Sequence, residues 1–360
     1  MIVRNMLVTG GAGFIGSNFI RNVLSHVERI NIVNLDLLTY AGSLENLRSL
    51  PREQNYTFVK GDVRDEALVK TILIEYEIDT IVHFAAETHV DRSISAPADF
   101  ITTNINGTFN MLESARRVWM SKPDYTPENY RFHHISTDEV YGTLASGEPS
   151  FEETTPYAPN SPYAASKASS DHLVRAYHET YKLPVTISNC SNNYGPYQFP
   201  EKLIPLMILN ALKGEPLPIY GDGRQIRDWL YVEDHCEAIW QIVCNGKIGE
   251  SYNIGGDNQP TNLEVVRHIC LSLDKKKPAE NGQPYETLIT YVVDRPGHDR
   301  RYAMNIKKIN RELGWQPNYS LYTGLDKTID WYLSNFEWIA KINQNEHYQE
   351  WIDAQYRKRN

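Results

Sequence analysis

The first half of this sequence alternates short apolar runs with longer stretches of helical spacing, and this alternation restricts its fold more than any other feature. Strand-length apolar runs occur at 6–9, 30–35, 56–59, 80–84, 131–136 and 185–189. Helix-like spacing occurs near 14–25, 66–76, 101–118 and 163–181. Strands covered by helices on both faces read as nearly continuous apolar runs. The pattern therefore predicts an α/β fold with a doubly wound parallel sheet, which binds ligands at the carboxyl ends of its strands.

The second half of the chain, after about residue 190, has a looser pattern. Prolines interrupt it at positions 196, 200, 205, 216 and 218, and further helices are predicted near 232–244, 262–273 and 321–333. We interpret residues 1–190 as a Rossmann domain, to which segments near 232–255 return. Residues 191–335 are interpreted as a smaller C-terminal substrate-binding lobe, and the sequence assigns no role to the tail at 336–360.

Charge and cysteine content argue against several classes of partner. The chain has 36 Lys and Arg against 45 Asp and Glu, a formal net charge of −9, whereas nucleic acid binding favours a basic face. The four cysteines show no spacing typical of metal ligands. No apolar run approaches the length of about 20 residues that a membrane helix needs. The first strand begins at once and leaves no room for a signal peptide, so we expect a cytoplasmic protein without metal, nucleic acid or membrane partners.

A glycine-rich segment, Gly10–Gly16, links the first predicted strand to the first predicted helix. Glycines allow a tight turn that approaches a pyrophosphate, and the helix N-terminus offers free N–H groups and a partial positive charge. Asp36 ends the second strand, 20 residues after Gly16, where it can bind both ribose hydroxyls and repel a 2′-phosphate. No Arg or Lys follows directly, so the pattern favours NAD over NADP. Residues suited to the adenine and to close packing on the cofactor follow the third and fourth strands: Asp62, Val63, Ala85 and Ala86.

Tyr163 and Lys167 are four residues apart in a predicted helix, so they share one face. A phenol, whose ordinary pKa is about 10, is a poor base at neutral pH. An ammonium group beside it, together with the positive charge of a nicotinamide ring, favours the phenolate. Such a pair also occurs by chance on protein surfaces. Here it follows an NAD-type glycine pattern in the same alternating fold, which favours a catalytic role.

Thr137, Asp138 and Glu139 follow the fifth predicted strand, at the edge of the sheet where ligands bind. The hydroxyl of Thr137 can hydrogen-bond a substrate. Two adjacent carboxylates also suit a solvated turn or a helix N-cap. In this location, however, their repulsion can separate their pKa values and leave one as an acid and the other as a base. A simple dehydrogenase does not need such a pair.

Together these motifs resemble the extended short-chain dehydrogenase/reductase superfamily, and the string from Thr137 to Gly142 is similar to that of its sugar-nucleotide 4,6-dehydratases. Further strings resemble those of the dehydratases that act on dTDP-glucose, and they begin at Asp36, His89, Asn192, Arg227 and Asp294. The match runs from about residue 5 to about residue 335 and leaves the tail uncovered. Two positions outside the catalytic set depart from the family pattern, Ser43 where Asn is usual and Asn305 where an acidic residue is expected.

This resemblance implies dehydration of dTDP-glucose to dTDP-4-keto-6-deoxyglucose, a step in the synthesis of deoxysugars such as rhamnose. Tyr163 would remove the proton of the 4-hydroxyl while hydride passes from C4 to NAD. Glu139 would then take the C5 proton, and Asp138 would protonate the departing 6-hydroxyl. Return of the hydride to C6 regenerates NAD, so the net redox change is zero.

The resemblance also completes the expected site around the catalytic set of Thr137, Asp138, Glu139, Tyr163 and Lys167. The expected cofactor-binding residues are Gly10, Gly13, Phe14, Ile15, Gly16, Asp36, Leu37, Thr39, Asp62, Val63, Phe84, Ala85, Ala86, Thr103, Tyr163, Lys167 and Asn193. The expected substrate-binding residues are Thr88, Thr137, Asn192, Lys202, Leu203, Pro218, Tyr220, Arg227, Asn262, Arg295 and His298. By the same resemblance, helices near 101–118 and 163–181 would form the four-helix interface of a homodimer.

Three alternative functions fit part of the pattern. A UDP-sugar 4-epimerase shares the NAD motif and the pair of Tyr163 and Lys167, but it has no use for Asp138 and Glu139. A dehydratase for UDP-glucose or another nucleotide-glucose keeps both carboxylates and is the nearer rival. An NAD-binding structural or regulatory protein with a dead site is disfavoured, because every expected catalytic group is present.

Overall fold

A computed structural model describes residues 1–294 and 298–343 of the chain. The strands in these residues are β1 (Asn5–Thr9), β2 (Asn31–Asp36), β3 (Tyr56–Lys60), β4 (Thr80–His83), β5 (Arg131–Thr137), β6 (Val185–Cys190), β7 (Asn192–Tyr194), β8 (Leu217–Tyr220), β9 (Trp229–Tyr231), β10 (Ser251–Ile254) and β11 (Ile289–Val292). The α-helices are α1 (Phe14–His26), α2 (Glu66–Glu75), α3 (Val90–Ser95), α4 (Pro97–Phe100), α5 (Thr108–Trp119), α6 (Pro162–Tyr181), α7 (Leu203–Lys213), α8 (Val232–Asn245), α9 (Asn262–Lys276), α10 (Lys307–Leu313), α11 (Leu321–Ser334) and α12 (Phe336–Asn343).

The main sheet has seven parallel strands in the order β10-β6-β5-β4-β1-β2-β3. One face is covered by α2, α5 and α6, whose buried residues include Ile72, Met111 and Val174. The other face is covered by α1 and α8, through residues such as Phe19 and Ile239. The predicted doubly wound parallel sheet is therefore confirmed. Its strand order reverses at β1, which pairs with β2 on one side and β4 on the other, and this reversal opens a crevice at the carboxyl ends of the strands.

The elements of the first half agree with the sequence-based expectation. All six predicted strands are present, with bounds that differ by at most one residue at either end. The helix predicted near 101–118 is present but begins as a π-helical turn, Ile101–Gly107, before α5. The seventh strand, β10, returns from the second half and pairs with β6. This strand lies within the segments near 232–255 that were predicted to rejoin the sheet.

The second lobe contains two small parallel sheets, β7 with β9 and β8 with β11. Helix α7 was not predicted, because Pro205 was interpreted as a break in the chain. Pro205 lies in the first turn of α7, where a backbone N–H has no intrahelical acceptor, so proline is tolerated there. Helix α9 begins with a capping box in which Thr261 and Glu264 satisfy each other's backbone N–H groups.

The start of the tail also forms a helix. In α12, Trp338, Ile339 and Ile342 are buried in the core of the second lobe. The remainder of the predicted tail, 344–360, lies outside the described residues. Within the described part of the chain, no helix is both long enough and apolar enough to cross a membrane.

Candidate active site

A cavity of about 660 Å³ lies at the carboxyl edge of the main sheet and is lined by both lobes. The glycine-rich segment, the motif after β5, the pair on α6 and polar residues of the second lobe all contribute to its wall. Every site residue predicted from the sequence lies on this wall except Arg295, which falls outside the described residues. The fold thus brings together groups that are up to about 290 positions apart in sequence, from Gly10 to His298.

The glycine-rich turn has a backbone that other residues would distort. Gly10 has a positive φ of 71°, and a Cβ there would lie 2.8 Å from the backbone of Ala85. A Cβ on Gly16 would lie 2.5 Å from the carbonyl oxygen of Gly10, so the start of α1 approaches the turn closely. Gly13 is the N-cap of α1, and the free N–H groups of the first helical turn follow it on the cavity wall. This cradle fits a dinucleotide pyrophosphate.

Asp36 ends β2 at the cavity and is 8% exposed. Its Oδ2 accepts a hydrogen bond of 2.9 Å from the Ala12 N–H, and its Oδ1 accepts one of 2.8 Å from the Leu38 N–H. Burial raises the pKa of Asp36, and these two hydrogen bonds oppose the increase. Each carboxylate oxygen retains a second acceptor site, so Asp36 is held in place with capacity for two ribose hydroxyls.

Asp62 follows β3 and is paired with Arg64, a cavity residue that the sequence interpretation did not include. The Arg64 Nε lies 3.0 Å from Oδ1 and 2.9 Å from Oδ2 of Asp62. Hydrogen bonds from Arg64 lower the pKa of Asp62. Because this carboxylate neutralises the guanidinium, Arg64 is a poor partner for a 2′-phosphate, which agrees with the preference for NAD deduced from Asp36.

Helix α6 carries Tyr163 and Lys167 into the cavity. Its N-cap is Ser161, whose Oγ accepts a hydrogen bond of 3.1 Å from the Ala164 N–H, and Pro162 lies in the first turn. The Lys167 Nζ donates a hydrogen bond of 2.7 Å to the carbonyl oxygen of Ile135 on β5. Burial lowers the pKa of Lys167 to about 8, despite the nearby carboxylate of Asp171. Lys167 is therefore anchored to the sheet and is close to its titration range at neutral pH.

The phenol of Tyr163 is buried, and burial raises its pKa well above the ordinary value. The carboxylate of Glu139 adds to this increase, and a hydrogen bond with Thr137 opposes it. The sequence interpretation gave the greater weight to Lys167, which would lower this pKa. In the free protein burial outweighs that effect, because a buried phenolate loses its hydration.

A network behind Lys167 was also missed by sequence reasoning. The Nε2 of His134 lies 3.5 Å from the Lys167 Nζ and 3.3 Å from Oδ1 of Asp171. Ser136 and Tyr157 donate hydrogen bonds of 2.7 and 2.9 Å to Oδ2 of Asp171. Burial lowers the pKa of His134 to about 4, so this imidazole is neutral at physiological pH. Single His and Asp residues in buried elements form no motif, so only the fold reveals them.

The paired carboxylates follow β5 in a 3-10 turn, Asp138–Tyr141, which Thr137 caps. The Thr137 Oγ1 accepts a hydrogen bond of 3.3 Å from the Glu139 N–H and donates one of 3.2 Å to Oδ1 of Asp138. Asp138 is 1% exposed, and its Oδ2 has no hydrogen-bond partner among the described residues. Burial and the carboxylates of Glu139 and Asp228 raise the pKa of Asp138 well above the usual range. This environment favours a protonated Asp138 that can act as an acid.

Polar groups of the second lobe also line the cavity. Arg227 is 5% exposed and donates hydrogen bonds of 2.8 and 2.9 Å to the carbonyl oxygens of Ile226 and Asp299. The side-chain Oδ1 atoms of Asn192 and Asn262 are buried and have no hydrogen-bond partner within the described ranges. Buried acceptors that lack a hydrogen-bond partner within the described ranges suit a polar ligand that can donate to them. The remaining predicted substrate residues also lie on the cavity: Thr88, Lys202, Leu203, Pro218, Tyr220 and His298.

Further cavity residues were not among the predicted site residues. Glu201 has a side chain that is 2% exposed, and its Oε1 accepts a hydrogen bond of 3.2 Å from the Tyr40 hydroxyl. His89 lies 3.8 Å from the other Glu201 oxygen. Glu87 is held by Asn104 in the π-helical turn, which accepts from the Glu87 N–H at 2.8 Å and donates to its carbonyl oxygen at 3.0 Å. The π-helical turn therefore shapes the cavity wall.

A doubly wound sheet with this glycine turn, a Tyr–Lys pair and a buried Asp138 next to Glu139 defines a short-chain dehydrogenase/reductase site equipped for elimination. The chain belongs to the GDP-mannose 4,6-dehydratase family, whose model matches residues 7–328. It is 56% identical over 349 residues to a dTDP-glucose 4,6-dehydratase of Xanthomonas campestris pv. campestris (strain B100), covering 97% of this chain and 98% of that protein.

Two solved structures named dTDP-glucose 4,6-dehydratase, both crystallised with NAD, resemble the chain. The structure from Bacillus anthracis has a TM-score of 0.83 and 47% identity, and the match covers 94% of this chain and 99% of that chain. The structure from Streptomyces venezuelae has a TM-score of 0.85 and 45% identity, with the same coverage of 94% and 99%. The predicted resemblance to sugar-nucleotide 4,6-dehydratases is therefore confirmed.

Proposed function

We propose that the chain dehydrates dTDP-glucose to dTDP-4-keto-6-deoxyglucose and uses NAD as a tightly held cofactor. One observation carries this proposal: Asp138 is buried beside Glu139, in the same cavity as Tyr163 and Lys167. A dehydrogenase or an epimerase needs only the second pair. Both carboxylates are required when a proton and a hydroxyl must leave from neighbouring carbons. The names of the similar proteins support the same reaction.

The first proton transfer falls to Tyr163, whose phenol oxygen would accept the proton of the 4-hydroxyl. Lys167, anchored on the Ile135 carbonyl, supplies positive charge on the same helical face. NAD, when bound, supplies the acceptor for the C4 hydride, a positive ring that favours the phenolate, and the donor that later reduces C6. Thr137 hydrogen-bonds Tyr163 and is placed to orient the 4-hydroxyl.

The elimination uses the carboxylate pair. A ketone at C4 acidifies the C5 proton, and Glu139 would remove it as a general base. Asp138 would then give its proton to the departing 6-hydroxyl, which leaves as water. The raised pKa of Asp138 keeps that proton available at neutral pH, and its hydrogen bond with Thr137 fixes the direction of the carboxyl group.

We further propose that the two lobes bind different ligands. The sheet domain, 1–190 with the segments near 232–255, would hold NAD through the Gly10–Gly16 turn and Asp36. The lobe at 191–335 would hold the nucleotide diphosphate. Arg227 supplies a buried guanidinium for charge-assisted contacts with the diphosphate, and Tyr220 supplies a ring that can flank the base.

Two copies of the chain would pair through the π-helical turn, α5 and α6, as the family resemblance implies. Ile101 and Phe109 are apolar and 46% and 49% exposed. Ala165 and Ala176 on α6 are also exposed, and small residues allow close helix packing. F109E should give a monomer in analytical ultracentrifugation. L271E, a control at an apolar residue that is 54% exposed on α9, should leave a dimer, and a monomeric wild type would refute this pairing.

The direct test of the reaction is incubation with dTDP-glucose in D2O. A 4-keto-6-deoxy product that carries deuterium at C5 is expected. Recovery of a galactose nucleotide would instead establish an epimerase, and the absence of product from every sugar nucleotide would indicate a catalytically inactive NAD-binding protein. Comparing the turnover of dTDP-, UDP- and CDP-glucose would decide between the proposed substrate and the nearer rival.

A further inference from the structure

Helix α12 contacts the nucleotide-binding half of the chain. The Trp338 Nε1 donates a hydrogen bond of 2.8 Å to Oδ1 of Asn46, a residue 292 positions earlier in the sequence. One turn later, the Lys341 Nζ donates a hydrogen bond of 2.9 Å to Oε2 of Glu45. Asn46 and Trp338 are 2% and 7% exposed, so the contact between them is shielded from water. The 3-10 turn Leu44–Leu47 is thus tied to the end of the described chain.

Asn46 also contacts the glycine-rich turn. Its Nδ2 donates a hydrogen bond of 2.9 Å to the carbonyl oxygen of Ala12, which also accepts one of 3.0 Å from the Ser43 N–H. The N–H of Ala12 is in turn held by Asp36 at 2.9 Å. Ala12 lies between Gly11 and Gly13, so the orientation of its peptide helps to set the shape of the pyrophosphate cradle.

The orientation of the Asn46 amide depends on Trp338. The two ends of an asparagine amide are nearly equal in size, so only the partners decide which end faces which group. Here the indole N–H requires an oxygen, which directs the Nδ2 towards Ala12. Without the indole N–H, the buried Asn46 oxygen would have no hydrogen-bond donor. The amide could then rotate, and its Nδ2 would no longer be directed towards Ala12.

Trp338 is itself held firmly by an aromatic cluster. Its ring centroid lies 5.1 Å from that of Trp331, 6.0 Å from that of Tyr197 and 6.2 Å from that of Tyr332. The Tyr332 hydroxyl donates a hydrogen bond of 2.5 Å to the carbonyl oxygen of Gln198, a residue of the cavity wall. Helices α11 and α12 therefore contact both the 3-10 turn Leu44–Leu47 and Gln198 on the cavity wall.

We propose that Trp338 is a positioning residue for the cofactor, which acts through Asn46 on the peptide of Ala12. The proposal rests on the proposed use of NAD and gives α12 a role in binding it. Trp338 touches neither the cofactor site nor the reacting atoms, since it is absent from the cavity wall. Its loss should therefore weaken the binding of NAD and leave the chemical steps unchanged once the site is saturated.

W338F tests this proposal, because phenylalanine keeps an aromatic ring in the cluster and removes the N–H donor. Isothermal titration of NAD into the nucleotide-free full-length protein should show a Kd that rises about fivefold, equivalent to about 1 kcal/mol. The kcat at saturating NAD should equal that of the wild type. N46A should weaken binding at least as much, and W338F/N46A should be no weaker than N46A alone, since both residues act along one chain of contacts.

W315F is the matched control. Trp315 is 5% exposed in a different core cluster, and its Nε1 has no hydrogen-bond partner in the described part of the chain. W315F should lower the Tm without changing the Kd for NAD. The proposal is overturned if W338F binds NAD as tightly as the wild type, or if W315F weakens binding equally. A wild-type protein that binds no NAD would refute the proposed function itself.

Discussion

The ammonium group of Lys167 is buried and donates a hydrogen bond of 2.7 Å to the carbonyl oxygen of Ile135. This contact fixes a cation beside β5, one turn along α6 from Tyr163. Burial of the side chain removes the ammonium group from water, which is the main reason why the pKa of Lys167 falls to about 8. The positive charge that favours the Tyr163 phenolate is therefore present below pH 8 and is lost above it.

Activity should accordingly fall as the pH rises through about 8, the pKa of Lys167. In K167R the guanidinium stays charged throughout this range, so the decline should move to higher pH, even if the maximal rate is lower. A pH profile of kcat/KM for both proteins measures this. If the decline has the same midpoint in K167R, it belongs to another group.

E139Q should separate oxidation from elimination. The amide cannot remove the C5 proton, so product formation should fall by about 10²–10⁴-fold, the usual range for a lost general base. Oxidation at C4 needs only Tyr163 and Lys167, so reduced nicotinamide should accumulate on the protein and can be followed by its absorbance.

D138N is the partner variant for this experiment. It should retain exchange of the C5 proton with D2O, because Glu139 is intact, while loss of the 6-hydroxyl is slowed. Normal elimination by E139Q would show that the base has been assigned to the wrong carboxylate.

D36N should reduce the discrimination between NAD and NADP. The amide keeps the shape of Asp36 but loses the charge that strengthens its hydrogen bonds to ribose hydroxyls and repels a 2′-phosphate. Charged hydrogen bonds contribute about 1.5–3 kcal/mol, so the affinity for NAD should fall by about ten- to a hundredfold. Titration with both cofactors measures the ratio, and an unchanged ratio would place the source of selectivity elsewhere.

G10A should damage the cofactor site for two separable reasons. Alanine at the positive φ of 71° costs about 1–2 kcal/mol, and its Cβ would meet the Ala85 backbone at 2.8 Å. G214A is the matched control, because Gly214 has a φ of 70° and no atom within 4 Å of the added Cβ. Thermal unfolding should show a greater loss of Tm for G10A. Equal losses in the two variants would mean that the contact with Ala85 is relieved by movement.

Much of this architecture was predictable, because buried parallel strands and crossover helices leave strong periodic signals. The positions of Gly10, Asp36 and Tyr163 followed from their places at strand ends and helix starts. The π-helical turn Ile101–Gly107 was not predictable, since its spacing resembles that of the helix it precedes. Helix α7 was missed because proline is tolerated in the first turn of a helix but breaks its interior. The sequence did not show that Pro205 lies in a first turn.

The supporting residues of the site were the least predictable. Glu201, His134 and Asp171 are single residues that matter because the fold buries them beside other groups. The effect of burial on the pKa of Tyr163 in the free protein was not predictable either, because burial depends on packing that one sequence does not display. The cytoplasmic location expected from the sequence stays a prediction.

Strand β10, at one edge of the main sheet, comes from residues 251–254, although its neighbour β6 ends at residue 190. A ribosome must therefore make some 60 further residues, 191–250, before β10 can pair with β6 and complete the main sheet. Until then β6 presents an open edge, and such edges recruit other strands. Shortened chains that end between 190 and 250 should thus be prone to aggregation. The first lobe cannot complete its sheet until much of the second lobe has been synthesised.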